Sequence, residues 1–106
     1  MTDGMILSVL KSNLELTPSQ TVMDLYLTTL IHASEELIAR EGIELTDSIE
    51  DGMLVVMYAA YLYRKRGDVP VQGTTASQPG MPRMLRYALN NRLFAQKAKV
   101  TETGGG

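Results

Sequence analysis

Arg83, Arg86, Asn90 and Lys97 recur at helical spacing in the C-terminal part of this 106-residue chain. A helix places them on one face, bordered by Tyr87 and Phe94. Fixed cations beside aromatic rings are the equipment of a surface that meets phosphates, or the carboxylates of another protein surface. Arg83 and Arg86 lie near the positive start of their helix, where cations are disfavoured by about 0.3 to 1 kcal/mol, so the placement hints at a partner. A second basic set, Arg64-Lys65-Arg66, precedes Gly67. Its first reading is structural, because cations in a last helical turn interact favourably with the macrodipole.

Arg92 poses a different problem. Met81, Leu85, Ala88, Leu89 and Leu93 form the apolar stripe of the same helix, and Arg92 projects into the middle of it. An unpaired buried guanidinium costs several kcal/mol, so an acid from the N-terminal half or from an adjacent subunit is the expected partner. The remaining titratable groups suggest no chemistry. His32, the one histidine, falls on a polar face with Thr28, Glu35 and Glu36, and the pairs Glu35-Glu36 and Glu50-Asp51 read as solvated faces and helix starts. There is no glycine-rich phosphate loop, no Ser-His-Asp or Cys-His set and no dense ligand cluster. The sequence therefore offers no catalytic, metal or cofactor site.

The elements that must position these residues read as helices throughout. A short first helix is expected over about Asp3 to Ser12, with Met5, Ile6, Val9 and Leu10 at helical spacing. Thr17-Pro18-Ser19-Gln20 has the pattern of a capping box with proline at the first helical position, and predicts a second helix from Thr17 to Gly42. Along it Val22, Tyr26, Leu30, Ala33 and Leu37 make one stripe, which Met23, Leu27, Ile31 and Ile38 widen to roughly half the circumference. That width fits burial between two helices, or an oligomer contact.

Asp47, with Glu50 three positions on, reads as the N-cap of a third helix. Its body, Met53 to Tyr63, is uncharged and apolar all round, as suits the centre of a bundle or a subunit interface. The stretch from Gly67 to Gly80 is broken by glycine and proline and exceeds the ~2 to 8 residues of a normal bundle connection. It reads as a mobile loop or short hairpin that a partner could order. Pro82 suits the first turn of the fourth helix. The fold expected is all-α, a small bundle of about four helices with a long loop before the last, forming one domain over residues 1–100 with a flexible tail at 101–106.

Length supports one core of marginal size. The chain has no cysteine, no basic leader in Met1-Thr2-Asp3-Gly4, and no apolar run near the ~20 residues a bilayer span needs. A soluble intracellular product with no membrane partner is expected. The net charge of −2 hides a polarity. Residues 1–51 carry ten acids against Lys11 and Arg40, whereas residues 52–106 carry eight bases against Asp68 and Glu102. Opposite patches could attract identical copies head to tail, a contact that closes into rings when the rotation permits, or could pair within one subunit.

Three of these features together resemble the small helical head-tail connector, or adaptor, proteins of long-tailed bacteriophages, some described as DNA-packaging proteins. They are the amphipathic second helix after a capped turn, the tyrosine-rich helix Met53 to Tyr63 ending in Arg-Lys-Arg, and Met84-Leu85-Arg86-Tyr87-Ala88-Leu89-Asn90-Asn91-Arg92-Leu93-Phe94. The likeness covers most of residues 18–97, and the last motif is its most specific part. It implies a helical bundle that assembles as a ring, commonly of about twelve copies, beneath the phage portal protein. Such a ring extends the channel through which double-stranded DNA passes without sequence specificity, and offers a docking surface for head-closure or tail proteins. It also implies synthesis in the bacterial host cytoplasm, a place in the virion at the head-tail interface, and no catalytic residue.

Under that reading Arg64, Lys65, Arg66, Arg83, Arg86, Asn90 and Lys97 are candidates for an interface or the DNA channel, and Arg92 for a structural ion pair. The rival reading is a small helical regulator that binds nucleic acid through Arg83, Arg86, Asn90 and Lys97. Its weakness is the acidic first half.

Overall fold

The computed structural model describes residues 1–66 and 81–104. The stretch read as a long loop, Gly67 to Gly80, and the last two glycines lie outside them. The fold is all-α. The described residues contain four helices: α1 (Asp3–Asn13), α2 (Asp24–Arg40), α3 (Ile49–Lys65) and α4 (Arg83–Gly104). None is long and apolar enough to cross a membrane.

α3 is the central element, as its all-round apolar sequence requires. Leu54, Val55, Val56, Tyr58, Ala59 and Ala60 are all buried, and each of the other helices packs against it. Small residues at Ala59 and Ala60 let neighbours approach closely, and Leu27, Ile31 and Ile38 of α2 and Ile6 and Leu10 of α1 complete the core. Terminal contacts fix the helix directions. Tyr26 meets Tyr63 with ring centroids 6.5 Å apart, so α2 runs antiparallel to α3. Arg64 Nη2 donates to Asn13 Oδ1 at 3.1 Å, and Met1 lies against Gly52, so α1 runs parallel to α3.

Helix boundaries follow side-chain capping. Thr2 Oγ1 accepts from the Met5 N–H at 3.2 Å and starts α1. Gly42 stands just past α2 with φ of 95°, the left-handed conformation that favours glycine, and its N–H donates to the Ala39 carbonyl at 2.9 Å.

Several boundaries differ from the sequence expectation. α2 begins at Asp24, not Thr17. Half of the expected capping box forms, the Thr17 N–H donating to Gln20 Oε1 at 2.6 Å, but the Gln20 N–H donates to the Thr17 carbonyl at 3.0 Å and not to its hydroxyl, which closes a single turn. Lys11 Nζ reaches the Pro18 carbonyl at 3.2 Å and Asp24 Oδ1 at 2.8 Å, tying that turn to α1. Val22, 93% exposed, supplies no buried anchor from which the helix could start earlier, and it does not belong to the core stripe.

At α3 the N-cap is Ser48 and not Asp47, because Ser48 Oγ accepts from the Asp51 N–H at 3.1 Å. α4 begins one residue after Pro82, whose carbonyl accepts from the Arg86 N–H at 3.0 Å. It also continues to Gly104, past the boundary drawn at residue 100, since nothing in Thr101-Glu102-Thr103 interrupts a helix.

Candidate functional site

α4 is held to the bundle by three polar anchors around two buried leucines. Leu85 and Leu89 are buried, while Met81, Ala88 and Leu93 pack partly against the core. The strongest anchor is Arg92. Its Nε donates to Asp51 Oδ1 at 2.6 Å and its Nη2 to Asp51 Oδ2 at 3.1 Å, a two-pronged pairing, and Nη2 also donates to the Glu44 carbonyl at 2.7 Å. Asp51 is 2% exposed. Its second oxygen also accepts from the Thr46 N–H at 2.7 Å and hydroxyl at 2.8 Å. Burial pushes the Asp51 carboxyl up, but the Arg92 guanidinium and the Thr46 bonds outweigh it and hold it below the usual range. The acid expected for Arg92 is thus Asp51, from the N-terminal half of the same subunit.

The second anchor is Gln96, which sequence reasoning missed. Its Nε2 donates to the Gly42 carbonyl at 2.8 Å and its Oε1 accepts from the Glu44 N–H at 2.7 Å. One amide thus satisfies a donor and an acceptor of the irregular link between α2 and α3. The available signal was its position one turn after Arg92, on the core side of the helix. The third anchor is Arg86, whose Nη2 donates to Glu41 Oε1 at 2.6 Å. Tyr58 lies close enough to Glu41 and Arg86 for both to act on its hydroxyl, which burial pushes up. Asp51 opposite Arg92 and Tyr58 near Arg86 make α4 antiparallel to α3.

These anchors divide the seven candidate interface residues. Arg86 turns toward its own subunit. Arg83, Asn90 and Lys97 remain together along the exposed edge of α4. The Arg64-Lys65-Arg66 set makes its contacts at the end of α3. Arg64 bonds Asn13, Lys65 Nζ lies 5.6 Å from the Tyr61 ring centroid, and the Arg66 guanidinium lies 3.6 Å over Tyr63. The structure therefore does not gather the seven cationic and amide residues into one basic face.

It assembles an apolar surface instead. Met84 is 76% exposed, Phe94 73% and Tyr87 60%, and they lie on one face of α4 with Asn91. Beside this face a half-open groove of about 440 Å³ separates α3 from α4, lined by Ile49, Met53 and Met57 on one wall and Ala88, Asn91 and Ala95 on the other. A second outward apolar site lies at the start of α2, where Leu25 is 81% exposed next to Val22. His32 lies on the surface with Nε2 4.0 Å from Asp3 Oδ2. Among the described residues no three acidic, histidine or cysteine side chains gather to hold a metal ion.

The described surface includes a small pocket of about 210 Å³ lined by Asp3, Glu35, Asp47 and Asp51. It presents two exposed apolar faces and a basic edge on a bundle pinned by one buried ion pair. Compared with known proteins, the chain matches no family model, no curated protein and no solved structure.

Proposed function

We propose that the chain is a structural connector of the head-tail type, forming a ring beneath a bacteriophage portal protein, extending the DNA channel and docking head-closure or tail proteins. The observation that carries this reading is the outward apolar surface. Val22 and Leu25 form one patch, and Met84, Tyr87 and Phe94 form another on a different helix. Single exposed apolar residues are ordinary, but contiguous sets on separate elements mark surfaces that other protein covers. A subunit with distinct sticky faces suits a repeating assembly, which closes when the rotation between copies permits.

The residues of the regulator reading support it less. Arg86 is held by Glu41 and Arg92 by Asp51, so two of the arginines of α4 are engaged within the subunit. Acids ring the same bundle at Asp3, Glu36, Glu44, Asp47 and Glu50. A channel wall that lets DNA slide needs little affinity, whereas a regulator needs many phosphate contacts. Negative-stain imaging of the purified protein, alone and with its portal, tests the proposal. Closed annular particles are expected, and a portal that recruits no copies of this chain would reject it.

A further inference from the structure

The two ends of the α1–α2–α3 core carry opposite charge, and we infer that the basic end of one subunit is covered by the acidic end of a second copy of this chain, in a head-to-tail contact. The inference deepens the connector reading and rests on it only for the closure of the ring.

Helix directions set the two ends. α1 and α3 finish together where α2 begins, as the Tyr26–Tyr63 and Arg64–Asn13 contacts require. Arg64, Lys65 and Arg66 are exposed there. Asn13 and the rings of Tyr61 and Tyr63, which hold them, are neutral, so these contacts cancel no charge. The ends of α1 and α3 each offer about half a unit of negative charge, less than three full cations need. Glu15 stands against them at this end, while Asp24 is taken by Lys11. At the other end the starts of α1 and α3 meet the last turns of α2. Asp3, Glu35 and Asp47 line one small pocket there, and Glu50 is exposed in the first turn of α3. α2 brings Arg40 to the same end.

These charges cannot satisfy one another within the subunit. The 17 residues of α3 hold the two ends about 25 Å apart, at ~1.5 Å per residue. Physiological salt screens exposed charges beyond about 8 Å, so the complement of each end must come from another molecule. Each end also exposes apolar surface. Val22 and Leu25 stand out at the basic end, and Ile49 is 71% exposed, between Asp47 and Glu50 in sequence, at the acidic one. A phosphate backbone would pair with the cations but leave Val22 and Leu25 in water, whereas the acidic end supplies carboxylates and Ile49 together. Because the two surfaces differ, the contact is heterologous, and every copy that joins keeps one end for the next.

Light scattering of the full chain should show a mass that grows past a dimer with concentration and falls as salt is added. Lys65→Glu with Arg66→Glu makes a copy with two acidic ends, and Asp47→Lys with Glu50→Lys a copy with two basic ends. All four side chains are exposed, so helicity should match the parent. Each variant alone should associate at least about tenfold more weakly, because like charges now meet, and an equimolar mixture should recover the mass of the parent. A parent chain that stays monomeric, a mass that stops at a dimer, variants that assemble like the parent, or a mixture that gains nothing overturns the inference. Portal rings judge the connector reading separately. Recruitment of both variants as fully as the parent overturns only the end-to-end contact, and head-to-tail mass that portal rings do not retain overturns only the connector.

Discussion

Arg92 and Asp51 form a carboxylate–guanidinium pair with Nε 2.6 Å from Oδ1, the Asp51 side chain 2% exposed and that of Arg92 19%. The pair joins the last helix to the first turn of the central one, and Arg92 also caps the Glu44 carbonyl. With Gln96, the Arg86–Glu41 pair and the buried Leu85 and Leu89, it holds α4 on the bundle.

Removing one partner leaves the other buried without compensation. Asp51→Ala is expected to destabilise the fold by about 3 to 5 kcal/mol, and Arg92→Glu by at least as much, read as a lowered urea midpoint. The double change Asp51→Leu with Arg92→Leu should cost much less than the two single changes added together. Midpoints unchanged in the single variants would remove the pair from its structural role.

The same pair sets the acid limb. The folded-state Asp51 carboxyl is held below its unfolded value, so its contribution is present above the unfolded value of about 3.9 and is lost as pH falls through the folded one. Glu35 has the opposite sign, because burial and then the nearby Asp3 push its carboxyl up. Its protonated form is favoured in the fold, so it adds stability in acid and loses it as pH rises through the folded value. Melting temperature should therefore drop below about pH 4 in the parent chain, and Asp51→Asn should flatten that drop while lowering the plateau. Glu35→Gln should raise the plateau near neutrality. A Glu35→Gln variant less stable at pH 7 would contradict this assignment.

Gly42 tests the helix terminator. At φ of 95° a Cβ is strained, although the nearest side-chain atom, Leu93 Cδ1, lies 3.7 Å from where it would stand. Gly42→Ala should cost about 1 kcal/mol through the backbone, and Gly42→Asn less, because asparagine tolerates the left-handed region. Equal losses in the two variants would indicate a packing effect instead.

Much of this was legible in the sequence. Four helices, the apolar core helix, the terminator at Gly42 and the need of Arg92 for an acid all follow from spacing and from the cost of an unpaired charge. What escaped depended on groups distant in sequence. The late start of α2 is set by Lys11, thirteen residues before Asp24, and Gln96 reads as a surface amide until the α2–α3 link is seen beneath it. The division of the basic residues was hidden for the same reason. Periodicity puts Arg86 with Arg83 and Lys97, and only Glu41 turns it inward.

The outward apolar residues separate fold from assembly. Val22→Glu and Leu25→Glu should each change stability by no more than about 0.5 kcal/mol, since both side chains already face solvent. They should nevertheless reduce the size of the assembled particle in light scattering. Particles of undiminished mass would show that the α2 start takes no part in growth.

Binding to duplex DNA separates the connector from a regulator. The connector reading predicts weak retention at physiological salt, little altered by Arg83→Ala with Arg86→Ala. Tight binding that falls steeply with added salt and vanishes in that double variant would favour the regulator.

Particle mass of the full chain, measured by light scattering over a wide concentration range and repeated with portal rings added, tests the central claim most directly. The account predicts self-association of the free chain and a portal-bound state in which many copies close a ring. A chain that remains monomeric at every concentration and adds no mass to the portal would contradict it.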